Sequence, residues 1–595
     1  MGLFQKAVET YDKMSHLAGV EVSGKEVLAP IGHITTKASI IITIDRKGKF
    51  NSATARAAEE PKVCIPVTEA SSGRTSAPAA HPLCDNLKYV APITEKEHPL
   101  YLEQLKRWCA SEYASPKTEA VLQYVLGGTI LSDLDRAGLL SRDAKGEISN
   151  GKDLVCWSVE GLGEESGPVW TDRKLMELYR QFYLSDAPGE NTLCYVNGNV
   201  ERTAEQHMKG VVSLFGNAKI ISSNDTSNFT YRGRFETGKE AASISYTASQ
   251  KAHNALKWLA SNQGVSIGGR RLVCWNPSGI SVPKPILPLL KQTETPPEPT
   301  EYRQLLQKTV EGYKAQLPDK EGIVIASFEA ATSGRLSVTY YNELTGSDFL
   351  ERLKYWDETC CWYDTGWGTS APLLYNIVNY AFGTARSSAT GGQKIECDDA
   401  VMAQHMQRLL SCRVDRALFP LDIEKAIAEK AGNLQIYSLE NRRKLLFTAC
   451  AVIRKYKKDR YKEEWDMALE PERKDRSYQY GRLLAVLEKA EKDTYDREEG
   501  RETNAIRMQS VFVKRPAYAA SIIMDRVKSA YYPHLKPGIR NYYEKLIGEI
   551  YAVISEFPEQ EIGKPLSETY LMGYYLQKNA LYSKKEIKTE ENENE

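Results

Sequence analysis

The sequence predicts an α+β protein, a mixed α/β N-terminal region followed by an all-α C-terminal helical bundle. Two observations carry the class. Short β-rich runs such as Ile40-Ile41-Ile42-Thr43-Ile44 and Ile323-Val324-Ile325 fall before about residue 400. Beyond about Val401 the apolar residues recur at helical spacing. At 595 residues the chain also exceeds the size at which a single core keeps growing, so several folded units are expected. The composition divides it into 1–290, a second α/β segment 291–400, a basic helical connection 401–466, and a bundle 467–595.

The first ninety residues alternate β-rich runs with turn chemistry. Val27–Ile31 and Ala38–Ile44 read as strands, and Asp45-Arg46-Lys47-Gly48 as the turn that closes a hairpin. Thr68 to Pro82 is small, polar and punctuated by proline, which predicts a long surface loop. From Leu100 to about Leu131 the spacing is helical, with Trp108, Tyr113 and Ala120-Val121-Leu122 on the apolar face. Leu154-Val155-Cys156-Trp157 and Leu272-Val273-Cys274-Trp275 share one wording and read as buried strands. Lys291 to Thr300 holds three prolines and no hydrophobic side chain, a stiff connection. Past it, Ile323–Phe328 and Arg335–Tyr341 flank Thr332-Ser333-Gly334, a hairpin by composition. Tyr480, Leu483, Leu484 and Leu487, then Tyr543, Leu546, Ile547 and Ile550, mark helices separated by Pro516, Pro533 and Pro537. The acidic end, Glu590 to Glu595, is expected to be unstructured.

Composition narrows the function classes. Apolar residues make up 42% and charged residues 26%, near globular averages. No apolar run is long enough to span a bilayer and Met1 to Lys6 lacks the apolar core of a signal peptide, so a cytoplasmic protein without membrane contact is expected. Eleven cysteines without a Cys-x-x-Cys pair read as reduced, mostly buried thiols. Basic and acidic residues balance at 78 each, so contact with nucleic acid requires charge segregated into patches.

No catalytic motif stands out. Gly161-Leu162-Gly163-Glu164-Glu165-Ser166-Gly167 has its third glycine one place late for a dinucleotide loop and reads as a Gly-rich turn. A P-loop is absent. A metal-dependent nuclease needs converging carboxylates, and the candidates are Asp133 with Asp135, Asp348 with Glu351, and Asp398-Asp399. Asp348 is better placed beside a helix N-terminus. His405 and Cys412 read as packing residues on a helix. Neither metal nor cofactor is expected.

The basic segments are more informative. Arg442, Arg443, Lys444, Arg454, Lys455, Lys457, Lys458, Arg460 and Lys462 face Asp459 alone, a local charge of +8, with Phe447, Tyr456 and Tyr461 interleaved. Cations mixed with aromatic rings suit single-stranded nucleic acid, and a solvated helix face accounts for them equally. Lys514, Arg515, Arg526, Lys528, Lys536 and Arg540 form a second group in the bundle, able to track a DNA backbone. Arg74, Thr75 and Ser76 pair a guanidinium with two hydroxyls, groups that read base edges, grip phosphate or brace a turn. The polar loop Asn224 to Gly233 carries Asn228, Phe229, Tyr231 and Arg232, and one of its aromatic rings is suited to wedge into a duplex.

In order and spacing these segments resemble the large-subunit family of type I-C CRISPR systems, the Csd-type or Cas-eight proteins. The resemblance is carried by Arg74-Thr75-Ser76 with His81-Pro82-Leu83-Cys84-Asp85-Asn86, by Ser222 through Phe235, and by Ser249 through Leu259 leading to Val273-Cys274-Trp275. It continues through Gly334-Arg335-Leu336-Ser337-Val338, Tyr341-Asn342-Glu343-Leu344 and Gly481-Arg482-Leu483-Leu484. It implies a non-catalytic subunit of an RNA-guided complex. The N-terminal region would contact the subunit that caps the guide RNA 5′ handle and read the PAM, the short duplex flanking the target. The C-terminal part would resemble the small subunit and hold the displaced DNA strand. The implied partners are guide RNA, target duplex, the backbone and handle-capping subunits, copies of the small subunit and a helicase-nuclease. The resemblance also implies a separate C-terminal product by internal translation, for which Met467, 129 residues from the end, is the candidate start. A metal-dependent nuclease and a free-standing nucleic-acid-binding protein are the alternatives.

Overall fold

The computed structural model describes residues 2–57, 59–74, 77–186, 189–222, 234–291, 295–387, 391–496 and 500–592. It divides into two compact units. The first comprises Met1–Ser266, Arg270–Ser281 and Gly322–Glu343, and the second Ile267–Gly269, Val282–Glu321 and Leu344–Glu595. Strands occur only as far as Glu396, and past it every described element is helical, so the fold is α+β as the sequence indicates.

The first unit opens on helix α1 (Leu3–Lys13). Strands β1 (Ile40–Asp45) and β2 (Phe50–Ala55) form the expected hairpin. Its turn places Gly48 at φ +76°, while Asp45 Oδ1 accepts the amides of Lys47 (2.8 Å) and Lys49 (2.9 Å). Strand β3 (Leu154–Glu160) runs parallel to β1, and its residues are buried on both faces as far as Cys156 and Trp157, the usual state of a central parallel strand. A four-stranded sheet contains Val265–Ile267, β4 (Arg270–Trp275), β5 (Gly322–Thr332) and β6 (Arg335–Thr345), the last two being the hairpin expected around Ser333-Gly334. The two Leu-Val-Cys-Trp runs therefore do the same work in separate sheets. Trp157 and Trp275 are both fully buried, with indole N–H groups donating to the Leu83 carbonyl (2.9 Å) and Thr10 Oγ1 (2.9 Å).

Three expectations are overturned. Val27–Ile31 forms no strand. The Ala29 carbonyl instead accepts from Tyr11 OH (3.3 Å) and, with Pro30, from Asn254 Nδ2 (3.1 and 3.3 Å), so side chains stand where a ladder partner would. Nor are the described residues of 68–82 a surface loop throughout, although Ala77 and Pro78 are exposed. Thr68 and Ser71 form a capping box that starts helix α2 (Glu69–Gly73), and Glu69, Ser71, Ala80 and His81 are buried. The acidic tail, expected without structure, is helical as far as Asn592, and its last three residues lie outside those described. The Leu100–Leu131 stretch is helical as read, broken where Ser115 caps a new helix with Pro116 at its first position. Helix α3 (Tyr246–Asn262) packs on α1.

In the second unit Pro299 closes the Pro-rich segment by opening the helix Pro299–Gln316. The bundle is built from α4 (Leu439–Tyr461), α5 (Arg476–Lys492), α6 (Pro516–Arg526), α7 (Pro537–Ile554) and α8 (Thr569–Asn592). Tyr480, Leu483, Leu484 and Leu487 are buried on α5, and Tyr543, Ile547 and Ile550 on α7. Pro516 and Pro537 occupy first helical positions, where no amide is needed. Helices α5 and α8 meet at two glycines. A Cβ on Gly481 would lie 1.9 Å from the Tyr570 carbonyl oxygen, and one on Gly573 2.0 Å from that of Tyr478. All eleven cysteines are free, and eight are buried.

Candidate nucleic-acid interface

Arg74 follows α2, and its guanidinium points inward. Nη1 donates to the Ala79 carbonyl (2.7 Å) and Asp85 Oδ2 (2.8 Å), Nη2 to Asp85 Oδ1 (2.5 Å), and the group lies 4.4 Å from the Tyr89 ring centre. Asp85 is fully buried and also accepts the amides of His81 (2.7 Å) and Asn86 (2.6 Å). Burial works against the Arg74 charge, but the Asp85 carboxylate more than offsets it and holds its pKa above the ordinary value. Burial drives His81 down to about 4, so its imidazole is neutral. Arg74 thus braces the chain between α2 and Asp85. Thr75, Ser76, Asn224, Asn228, Phe229, Tyr231 and Arg232 lie outside the described residues. Lys209, which the sequence did not single out, donates to the Arg74 carbonyl (3.0 Å).

The +8 segment becomes α4, and most of its charge is matched. Arg442 forms a two-point pair with Glu502 (2.8 and 2.8 Å). Arg443 pairs with the buried Asp364 and lies 4.3 Å from the Trp367 ring centre. Lys444 pairs with Glu440 (2.5 Å), Lys457 with Glu568 (2.7 Å) and Lys458 with Glu464. Arg454 and Lys455 are buried, the first donating to the carbonyls of Trp465 (2.9 Å) and Glu358 (2.8 Å), the second to Asp459 (2.7 Å). Proximity in sequence overstates the field because the acidic partners come from elsewhere in the chain.

The second basic group behaves differently. Lys514, Arg515, Lys528 and Lys536 are exposed and form no ion pair among the described residues. Arg526 donates to Asn504 Oδ1 (2.9 Å) and Arg540 pairs with Glu544 (3.1 Å). Between Lys514 and Arg540 the six cations face one acid, Asp525. Tyr518, 59% exposed, stands on α6 between Arg515 and Lys528. Exposed cations without carboxylate partners suit phosphates, and an exposed aromatic ring suits a stacked base.

The carboxylate candidates are held locally. Asp133 is buried and accepts from Tyr124 OH (3.0 Å) and Thr129 Oγ1 (2.8 Å), Asp135 is 3.6 Å from Arg142, and Glu351 pairs with Lys314 (2.8 Å). Asp348 sits in the first turn of the helix Gly346–Thr359, its amide bound by Thr345 Oγ1 (3.2 Å). Asp398 occupies the N-cap position of the helix Asp399–Val414, without a side-chain cap bond. On that helix His405 stacks on Phe382 (4.0 Å between ring centres) and Cys412 bonds the Leu418 carbonyl (3.5 Å). Among the described residues no three His, Cys, Asp or Glu side chains gather as a metal site.

Comparison with known families decides the relationship. The family described as CRISPR-associated protein (Cas_Csd1) matches residues 8–582. The chain belongs to the Csd1 family of CRISPR-associated proteins. No curated protein matches it. Csd1 membership spans both units, which makes the chain a component of a CRISPR interference complex with other Cas proteins and nucleic acid. No described helix of this Csd1 chain is long and apolar enough to cross a membrane. Met467 is buried between α4 and α5. The Csd1 chain beyond it shares its core with preceding residues, since Tyr575 OH donates to Asp364 (2.5 Å) and Gln509 Nε2 to the Ala431 carbonyl (2.9 Å).

Proposed function

We propose that this Csd1-family chain is the large subunit of a type I-C RNA-guided complex in the cytoplasm and works by binding, without catalysis. Its N-terminal unit contacts the guide RNA 5′ handle end and the handle-capping subunit and reads the PAM duplex. Its helical unit holds the displaced strand beside the backbone and small subunits and helps recruit the helicase-nuclease. The observation that favours strand holding is that Lys514, Arg515, Lys528 and Lys536 are exposed and form no ion pair among the described residues, in a chain with no net charge. Cations that face no carboxylate release counterions when they meet phosphates, and the effect is independent of sequence.

The test is a complex reconstituted with and without this chain. With it, target duplexes carrying the cognate PAM are opened and discriminated from those lacking it, and unchanged discrimination without it refutes the reading. Replacing the four cations by Gln should leave the displaced strand reactive to permanganate and lower the salt slope of strand binding by about 0.7 per cation. Metal-dependent cleavage by the isolated chain, lost on Asp133→Ala or Asp398→Ala, would favour a nuclease instead. A separate product starting at Met467 should vanish when the ribosome site before it is synonymously recoded, and its persistence excludes that start.

A further inference from the structure

We infer that Lys209 and Lys219 form a seat for a backbone phosphate of the DNA duplex, beside the Arg74 backbone. The inference rests on the PAM-reading role proposed above and assigns to it two residues not otherwise implicated.

Lys209 and Lys219 are directly opposed in an antiparallel bridge, with the Gly210 amide bonded to the Ala218 carbonyl (3.1 Å). Opposed residues project from the same face, with Cβ atoms about 5 Å apart. The strand carrying Lys219 is itself pinned to the β5–β6 hairpin, since its amide donates to the Gly334 carbonyl (3.0 Å) and its carbonyl accepts from Leu336 (2.8 Å). Lys209 is steered toward the turn after α2, its Nζ donating to the carbonyls of Arg74 (3.0 Å) and Gly73 (3.5 Å). Both side chains are half-buried, and neither has a carboxylate partner among the described residues.

Several other cations drawn into the first unit face a carboxylate, Arg74 with Asp85, Arg202 with Glu69 and the buried Lys117 with Asp172, while the half-buried Arg271 donates to the Ala260 carbonyl (2.9 and 2.6 Å) and Ser266 Oγ (2.9 Å). Two partly desolvated ammonium groups on one face without counter-charge are costly unless an anion completes them. Burial lowers the pKa of each, and a neighbouring cation adds to this, Arg74 for Lys209 and Lys209 for Lys219. The adjacent His207 and His253 are driven neutral by burial, to about 3 and about 4, so they neither neutralise the seat nor compete for the anion. A phosphodiester suits the pair: lysine binds phosphate as a point charge, two on one face can share one phosphate, and the site needs no base to be read. Fixing a phosphate here would set the register of a duplex against the turn carrying Arg74.

The test uses the assembled complex with guide RNA and a target duplex bearing the cognate PAM. K209Q/K219Q should assemble with guide RNA as the parent does and keep its preference for the cognate PAM. The slope of log affinity against log salt should shrink by about 0.9 per lysine, so between 50 and 200 mM salt the parent loses roughly tenfold more affinity than the variant. K209R/K219R should restore the slope. K219Q alone, which removes no side-chain hydrogen bond among the described residues, should give half the change and serves if the double variant folds poorly. An unchanged slope overturns the inference, and loss of guide RNA from the variant overturns the assignment to DNA. A parent complex that ignores the PAM refutes the broader reading, not the seat.

Discussion

Replacing Gly481 by Ala isolates the close approach that builds the bundle. The added methyl would lie 1.9 Å from the Tyr570 carbonyl oxygen and 2.8 Å from the carbonyl carbon of that residue and the amide nitrogen of Tyr574. Ordinary contact begins at 3.4 Å, so α5 and α8 would have to part by about 1.5 Å. The obstacle is backbone on both sides, which cannot turn aside as a flexible side chain can. Separation would loosen the buried polar crossing of Arg482 with Gln577 (3.0 Å) and of Glu488 with Lys578 (2.9 Å) and Tyr574. Overpacking of this kind costs about 1–3 kcal/mol and more when backbone must move. Alanine recovers about 1 kcal/mol of helix propensity. The net should be a loss of about 2 kcal/mol or more, read as a fall of roughly 4–8 °C in the melting temperature of the unit. Gly548 on α7 is the matched control, exposed and with nothing within 4 Å of its added Cβ. The same change there should raise the midpoint. The reasoning fails if thermal denaturation of the full chain shows Gly481→Ala as stable as the parent.

Three further outcomes are expected. Asp85→Asn should destabilise the first unit by about 3–5 kcal/mol, because it leaves the part-buried Arg74 guanidinium without its carboxylate, and an unchanged urea midpoint refutes the bracing role. Acid should weaken the same unit early: burial lowers His33, His81 and His253 to about 4, so below pH 6.5 the unfolded chain binds protons that the folded chain does not. Stability should therefore fall from pH 7 to 5 by about 2 kcal/mol per histidine, and melts that are flat across that range would contradict their burial. Thr345→Ala should cost about 1 kcal/mol by removing the hydroxyl that caps Asp348, measurable as a lowered melting midpoint.

The α+β class, the β1–β2 and β5–β6 hairpins, the paired Leu-Val-Cys-Trp strands and the bundle were legible in the sequence, because each rests on local periodicity or turn chemistry. Val27–Ile31 was misread because its carbonyls are satisfied by Tyr11 and Asn254, residues close in space and distant in sequence. The same limit governs the candidate interface. Counting cations along the chain favoured α4, whose acidic partners Glu502, Asp364 and Glu568 arrive only on folding. Lys514, Arg515, Lys528 and Lys536 form no ion pair among the described residues, and Lys209 and Lys219, ten residues apart in an unremarked stretch, became a pair only when an antiparallel bridge set them opposite each other. Sequence by itself determined which residues carry charge and which runs form helix or strand, since those follow from composition and spacing. Which charges remain unmatched was decided by tertiary structure alone, because neutralisation depends on distances of a few ångströms that chain order does not encode.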